Sequence, residues 1–320
     1  MPVRKDERRK VLFLCCLVVF VSLFVLSIAC ADEGQVTEPA PVTAQDYRQE
    51  LRKTITVEED NLAHNLDSYV RFMPFSGAKG QSGKVGVVAG GSEYNYKFKA
   101  FGKLPIELGI ISQYIGINNS TAIKLPAKLT SLSFGMQTTV PFFSVDKTYF
   151  TVGLAPSFYG QNWNFSSSSF SLMQRYFMIY QPNEKLTLVM GLSYEPGFKP
   201  SVFPIAGLIY RPDDRLTFNL IGSNPEISYA LNKKWTLFAE GECLFDEYKV
   251  TRDNANKNVT LNYNEIRAGG GVRYTLNKNV EGSLSVGSVF GHAIEYRQDS
   301  LGKVGLENGF YSEFRLSIMM

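Results

Sequence analysis

From about residue 84 onward the hydrophobic positions recur every second residue, not every third or fourth. Glu93-Tyr94-Asn95-Tyr96-Lys97-Phe98-Lys99, Leu186-Thr187-Leu188, Leu216-Thr217-Phe218-Asn219-Leu220 and Phe314-Arg315-Leu316-Ser317-Ile318 all alternate without a break. A period of two gives each strand one apolar and one polar face. The stretches 148–160, 167–181, 235–250, 259–276 and 279–297 are longer than the roughly 9 to 11 residues a tilted strand needs to cross a bilayer. Short polar turns occur at Ser144-Val145-Asp146-Lys147, Pro182-Asn183-Glu184-Lys185, Pro212-Asp213-Asp214-Arg215, Asn232-Lys233-Lys234 and Asn277-Lys278-Asn279, all of hairpin composition. Between most of them lie longer polar loops, near 117–127, 161–166, 251–258 and 298–307.

Tight turns on one side and longer loops on the other distinguish an outer-membrane barrel from a soluble sandwich, whose two apolar faces would meet each other. The expected fold is all-β, an antiparallel transmembrane β-barrel of about 12 to 14 strands. A sixth turn near Phe101-Gly102-Lys103, with both chain ends on the turn side, gives fourteen. An opening strand around 68–75 and the short hairpin 216–231 are its weakest members. Loss of one such pair gives twelve.

Upstream, a basic segment runs into the apolar stretch Val11 to Ala29, and the chain turns acidic at Asp32-Glu33. This is an export signal. Small residues in Ala29-Cys30-Ala31 suit cleavage after Ala31, while Ser27-Ile28-Ala29-Cys30 resembles a lipobox that would lipidate Cys30; the 19 apolar residues also approach the length of an uncleaved anchor. The expected organisation is a signal peptide over 1–31, a polar linker over 32–81 and a barrel over 82–320. Within the linker, Leu51 and Ile55, then Leu62 and Leu66, have helical spacing, which β-branched Thr54, Thr56 and Val57 weaken.

Composition narrows the function classes. The chain carries a formal charge of +3, but removing the five bases and two acids of the first 31 residues leaves 28 of each sign. That leaves no basic footprint for nucleic acid. Only Cys243 remains in the mature body, so no disulfide framework, zinc site or cysteine redox motif is available and no cofactor is expected. The 42 aromatic residues match the needs of two interfacial girdles and a lipid-facing band.

Parity assigns Tyr94, Tyr96, Phe98, Leu186, Leu188, Trp235, Leu237, Val272, Tyr274, Phe314, Leu316 and Ile318 to lipid. The opposite faces carry the candidate lumen residues Glu93, Lys97, Lys99, Arg175, Glu240, Glu242, Glu265, Arg267, Arg273, Glu281, Glu295, Arg297, Glu313 and Arg315, seven acids and seven bases. Pairs such as Glu265 with Arg267 can hold a narrow barrel shut. The same residues can line a polar pore whose balanced charge gives weak ion selectivity. The expected role is a narrow passive pore for small polar solutes or ions, with a closed structural or surface-interaction barrel as the alternative. Phe177 and Phe238 are the lumen-side aromatics available to a ligand.

A barrel-embedded hydrolase is the rival from another class, and it has little to work with. His64 precedes the expected barrel, and His292 shares parity with Val286 and Phe290, which points it at lipid unless a bulge intervenes. Ser166-Ser167-Ser168-Ser169 reads as a loop tip, and the Gly-x-Ser-x-Gly elbow and phosphate-loop pattern are both missing. A plug-sized domain before the barrel is not expected from the short linker that leads into it. The expected partners are outer-membrane lipid and the barrel-assembly machinery.

Leu216 to Val250, with the Pro-x-Ile-x-Tyr pattern at 225–229, together with Asn264 to Tyr274 and its Gly-Val-Arg-Tyr strand, and Val286 to Phe290, resemble a family of bacterial outer-membrane β-barrels known only as a domain of unknown function. The resemblance covers the C-terminal third and implies fold and location, not an activity. Two positions depart from the pattern: Gly291-His292 stands where such proteins often carry an arginine, and the chain ends in Met320 where barrels favour an aromatic for assembly recognition.

Overall fold

A hydrocarbon interior offers a backbone N–H or C=O no water, so a sheet that crosses it has to close on itself. The computed structural model describes residues 63–100, 104–142, 145–198, 201–222, 224–252 and 258–320, and these close in that way. The strands are β1 (Ala63–Gly77), β2 (Lys84–Ala100), β3 (Leu104–Asn119), β4 (Lys128–Pro141), β5 (Thr148–Gln161), β6 (Phe170–Asn183), β7 (Leu186–Tyr194) and β8 (Val202–Tyr210). They continue as β9 (Leu216–Ile221), β10 (Glu226–Ala230), β11 (Trp235–Val250), β12 (Val259–Asn277), β13 (Val280–Tyr296), β14 (Lys303–Gly305) and β15 (Gly309–Met319). Each strand from β1 to β13 pairs antiparallel with its sequence neighbours, and β15 closes the ring between β13 and β1. The three-residue β14 pairs only with the far end of β13, so fourteen strands build the wall.

All six tight connections fall at one end, together with both chain ends, where His64 and Met320 exchange backbone hydrogen bonds of 3.0 and 2.9 Å. Short turns mark this as the periplasmic end. In the β8–β9 turn the Asp213 carboxylate accepts N–H bonds of 2.8 Å from both Leu216 and Arg215, which hold its pKa below the usual carboxylate range. The opening strand extends beyond the expected 68–75, and the barrel begins at Ala63, not at 82. Leu66 therefore belongs to a strand in register with Ile318 and Tyr94 instead of to a helix. The pairing edges of β15 and β2 override its helical spacing. The linker helix around Leu51 and the residues Cys30 and Ala31 lie outside the described residues.

Outward positions are apolar and exposed, among them Met190 and Val286 at 61%, while inward neighbours such as Ser285 and Thr187 are buried. Near the periplasmic rim Tyr180, Tyr229, Trp235 and Tyr274 point outward, and the Trp235 and Tyr274 rings lie 4.6 Å apart. They form an interfacial girdle.

One irregularity reverses a parity. The β12–β13 ladder passes from Ile266↔Phe290 to Asn264↔Ala293, so Glu265 alone faces Gly291 and His292, and Gly291 takes φ +59°. This is a β-bulge, which turns every later side chain of the strand to the other face. His292, Ile294 and Tyr296 consequently point inward and are buried.

A charge at a lipid-facing position costs about 2 to 4 kcal/mol near the bilayer centre. Val286→Arg is expected to lower the unfolding free energy of the vesicle-inserted barrel by that amount in a urea titration. The same change at Val202, near an extracellular strand end, should cost much less.

Candidate functional site

Alternation stacks lumen-facing charges from non-consecutive parts of the chain at one height. Arg71 comes from β1, Glu313 and Arg315 from β15, Glu265 and Arg267 from β12, and Glu242 from β11. Arg71 Nη2 lies 2.7 Å from Glu313 Oε2, 3.6 Å from Glu242 Oε2, and its Nη1 3.4 Å from Glu265 Oε1. Arg267 reaches the same three carboxylates: Glu265 at 3.2 Å, Glu313 at 3.4 Å, and Glu242 in a close ion pair. Arg315 adds a 2.8 Å contact to Glu313. Three cations and three carboxylates thus neutralise one another where water is scarce, which is how buried charge is tolerated.

Aromatic hydroxyls and rings fix the cluster. Tyr263 donates to Glu265 Oε2 at 2.9 Å and Tyr311 donates to Glu240 Oε1 at 3.1 Å. The Arg267 guanidinium lies over the Tyr311 ring at 5.3 Å and that of Arg71 over Tyr69 at 5.1 Å. Gly269 and Gly287 face each other beneath Tyr311, and a Cβ at Gly287 would come within 2.6 Å of its ring. The glycines of β12 and β13 therefore serve close ring packing.

Above the cluster, toward the long loops, the lumen is dry. Val85, Val87, Leu129, Tyr248, Leu261, Ile294 and Val304, each no more than 2% exposed, meet across the barrel. There β5 touches β11, with the Tyr159 and Tyr248 rings 5.9 Å apart. Two members of the cluster, Glu242 and Arg315, keep side-chain exposures of 28 and 31%, and inward-pointing Lys97 below it keeps 20%, so solvent reaches them from within the lumen. Lower still, Arg273 contacts Glu226 at 3.0 Å and Glu281 at 3.2 Å and lies 4.8 Å from the Phe238 ring centre. Lys97 meets Glu107 at 3.0 Å, and Gln137 donates to the same carboxylate.

The candidates thus separate into groups. Lys97, Lys99, Arg175, Glu240, Glu242, Glu265, Arg267, Arg273, Glu313 and Arg315 occupy inward positions, but Arg267 and Arg273 are 3% exposed and face carboxylates, not water. Glu295 and Arg297 do not line the lumen. The bulge at Gly291 puts Glu295 on the outward parity, 2.9 Å from Lys303, and Arg297 lies past the end of β13 against Glu247 and the Gly197 carbonyl. Arg71, Asp67, Glu107, Glu226 and Asp246 also point inward. The lumen-facing positions of the barrel strands then carry ten acids against seven bases, in place of the expected balance of seven and seven. Arg71 escaped sequence reasoning because β1 carries a weak signal next to the polar leader.

The hydrolase candidates do not assemble. His64 Nδ1 is 2.5 Å from the Tyr94 hydroxyl on the outward parity. His292 packs edge-on to Tyr263 in the dry layer, and the hydroxyls of Ser166, Ser168 and Ser169 bond one another. Among the described residues no group of three metal-ligating side chains occurs.

A closed antiparallel barrel with an apolar outer belt, aromatic rim and charged lumen is a bacterial outer-membrane protein. Residues 105–319 match the model of the domain of unknown function DUF6268, and the chain belongs to that family. The match begins well before the C-terminal third in which the resemblance was legible. No curated protein matches the chain. Among solved structures it is similar to the COG4313 outer membrane channel from Pseudomonas putida F1, with 10% identity, TM-score 0.44, and coverage of 82% of this chain and 97% of that one. It is also similar to a FadL homologue of Pseudomonas aeruginosa (11% identity, TM-score 0.41, 81% and 89% covered) and to the KdgM porin (10%, 0.32, 79% and 98%).

Removing one partner of a buried ion cluster typically costs about 3 to 5 kcal/mol, because the remaining charges stay buried. Arg71→Met should destabilise the barrel by that amount in urea. The double variant Arg71→Met with Glu313→Leu should recover more than half of the loss, since it removes a compensating pair of charges.

Proposed function

We propose that this barrel is a narrow outer-membrane channel for small solutes, gated at its outer half and preferring cations. The observation that carries the reading is the step in hydration along the axis. Lys97 below the Arg71–Arg267 cluster and the cluster members Glu242 and Arg315 keep solvent exposure, although Arg273, Glu226 and Glu281 are buried in ion pairs, whereas the layer above the cluster is packed as tightly as a protein core. A wet lower lumen has little structural use in a barrel that serves only as a scaffold. The surplus of three carboxylates biases entry toward positive solutes, because a charged lining selects by sign. In this reading the barrel is a conduit and not an enzyme, and the dry layer is the element that must rearrange for solutes to cross completely.

A second reading, a closed structural barrel, is favoured by the burial of Arg71, Glu265 and Arg267 below 5% exposure. Planar-bilayer recording separates the two. The channel reading expects small discrete conductances, a reversal potential of the sign for cation preference in a potassium chloride gradient, and a stronger preference in Arg315→Glu, which raises the carboxylate surplus. A folded barrel that stays silent over a wide voltage range supports the scaffold and ends the channel reading.

A further inference from the structure

One loop of the outer end leaves the wall. The β3–β4 loop, residues 120–127, is tied to neighbouring strands at its two ends, where the Ser120 N–H donates to the Lys84 carbonyl at 3.0 Å and the Ile117 N–H to the Ala127 carbonyl at 2.8 Å. Between these ends it leans over the lumen: Ile123 and Leu125 pack against the dry layer, while Ala122, Lys124 and Ala127 stay exposed. Its far contacts lie at the end of β13, from which β3 is separated by β2, β1 and β15. Four strand spacings amount to about 19 Å of wall, so these contacts are made over the lumen.

Two contacts fasten the loop there. The inward-facing Tyr296 side chain, 3% exposed, donates its hydroxyl to the Lys124 carbonyl at 2.8 Å. Gly302, at φ +100°, lies against Ile123: a Cβ there would come within 3.0 Å of Ile123 Cδ1, so the glycine is what admits the close approach. Tyr296 is held from other sides as well, its N–H donating to the Gly302 carbonyl at 3.1 Å and the Arg252 guanidinium lying 5.5 Å from its ring centre. The loop is also braced within itself. Asn119 Nδ2 donates to the Ile123 carbonyl at 2.7 Å, and Asn119 Oδ1 accepts from the Thr121 N–H at 3.0 Å and the Thr121 hydroxyl at 2.8 Å. A loop braced in this way moves as one body about its ends.

The dry layer is built from two kinds of residue. Val85, Val87, Leu129 and Leu261 sit on wall strands whose ladders fix them. Ile123 and Leu125, with Leu301 and Leu306 of the β13–β15 connection, sit on loops. Only the second kind can leave without breaking a strand of the barrel. We propose that residues 120–127 form a strap that closes the outer mouth, with the Tyr296–Lys124 bond as its latch. Lifting the strap withdraws Ile123 and Leu125 from the dry layer, releases Gly302 and the segment that carries Leu301, and lets water and solute enter from outside. The proposal rests on the channel reading and assigns the rearrangement that reading requires to one segment. It places the control of opening at the extracellular face, away from the ion cluster, so the charges that set ion preference stay in place while the mouth opens.

Single-channel recording in potassium chloride, on protein purified from the outer membrane, tests the strap. Tyr296→Phe keeps the ring and removes the latch. The ratio of open to closed time should rise roughly 2- to 10-fold, the worth of one hydrogen bond, with unit conductance and reversal potential unchanged. A second variant locks the strap: Ile123→Cys with Gly302→Cys, in a Cys243→Ser background, joins two positions already in contact, and Gly302→Cys alone in that background is the control. Oxidation should abolish the openings of the locked form but not of the control, and dithiothreitol should restore them. Opening statistics that Tyr296→Phe leaves unchanged overturn the strap while the channel reading stands, as does an oxidised locked form that conducts as freely as its reduced form. Silence of the wild type and of every variant is the failure of the channel reading, and the strap fails with it.

Discussion

Backbone hydrogen bonding in a medium without water is the constraint from which this structure follows. Each strand at membrane depth needs a partner on both edges, and the chain meets that demand by seaming β1 to β15 over Asn65–Phe72 and β15 to β13 over ten residue pairs. The seam does more than close the ring. It brings Arg71, from the first strand, against Glu313, from the last, at 2.7 Å. The strongest electrostatic cluster in the lumen is thus assembled by the same contact that completes the wall. Closure and charge pairing stabilise each other, because Arg71 on β1 meets Glu242, Glu265 and Glu313 only when the terminal strands join.

The lumen that results is layered. An apolar layer, a neutral ion cluster and a set of ion-paired, partly exposed charges succeed one another along the axis, where a simple pore would show one continuous polar lining. Low dielectric around Arg71 and Arg267 makes each of their contacts strong and each missing partner costly. The cluster therefore acts as a floor for the apolar layer: Tyr263 joins the two, packing in the dry layer while its hydroxyl bonds Glu265. A rearrangement that opens the outer half has to move this floor or pass beside it.

The period of two, the six tight turns and a count of twelve to fourteen strands were legible because they depend on local chemistry: side-chain alternation and turn residues. The lipid and lumen faces followed wherever a strand ran without interruption. Three features were not legible. The start of β1 was masked by a helical spacing at Leu62 and Leu66 that only long-range pairing overrides. The bulge at Gly291 exchanged the faces of His292 and Glu295, and a glycine inside a strand is a weak signal for a bulge against the many glycines here that serve close packing. Glu226 and Glu107 were missed as lumen residues because partners such as Arg273 and Lys97 lie on strands whose adjacency depends on register.

Registers also explain why one side of the wall differs from the other. β11, β12 and β13 are 16 to 19 residues long, whereas β9 and β10 have six and five. Five residues rise about 17 Å at strand spacing, less than the hydrocarbon thickness of about 30 Å, so this hairpin cannot cover the membrane alone. Neighbouring strands of ordinary length would leave their backbone groups exposed to lipid above it. The chain limits that exposure by shortening β8 and folding Phe198 onto the Tyr159–Tyr248 contact, where β5 and β11 meet directly. The outer half is thereby packed around an apolar core. Pro204, Pro225 and one short hairpin thus make this side of the wall unlike the long regular ladders of β11 to β13.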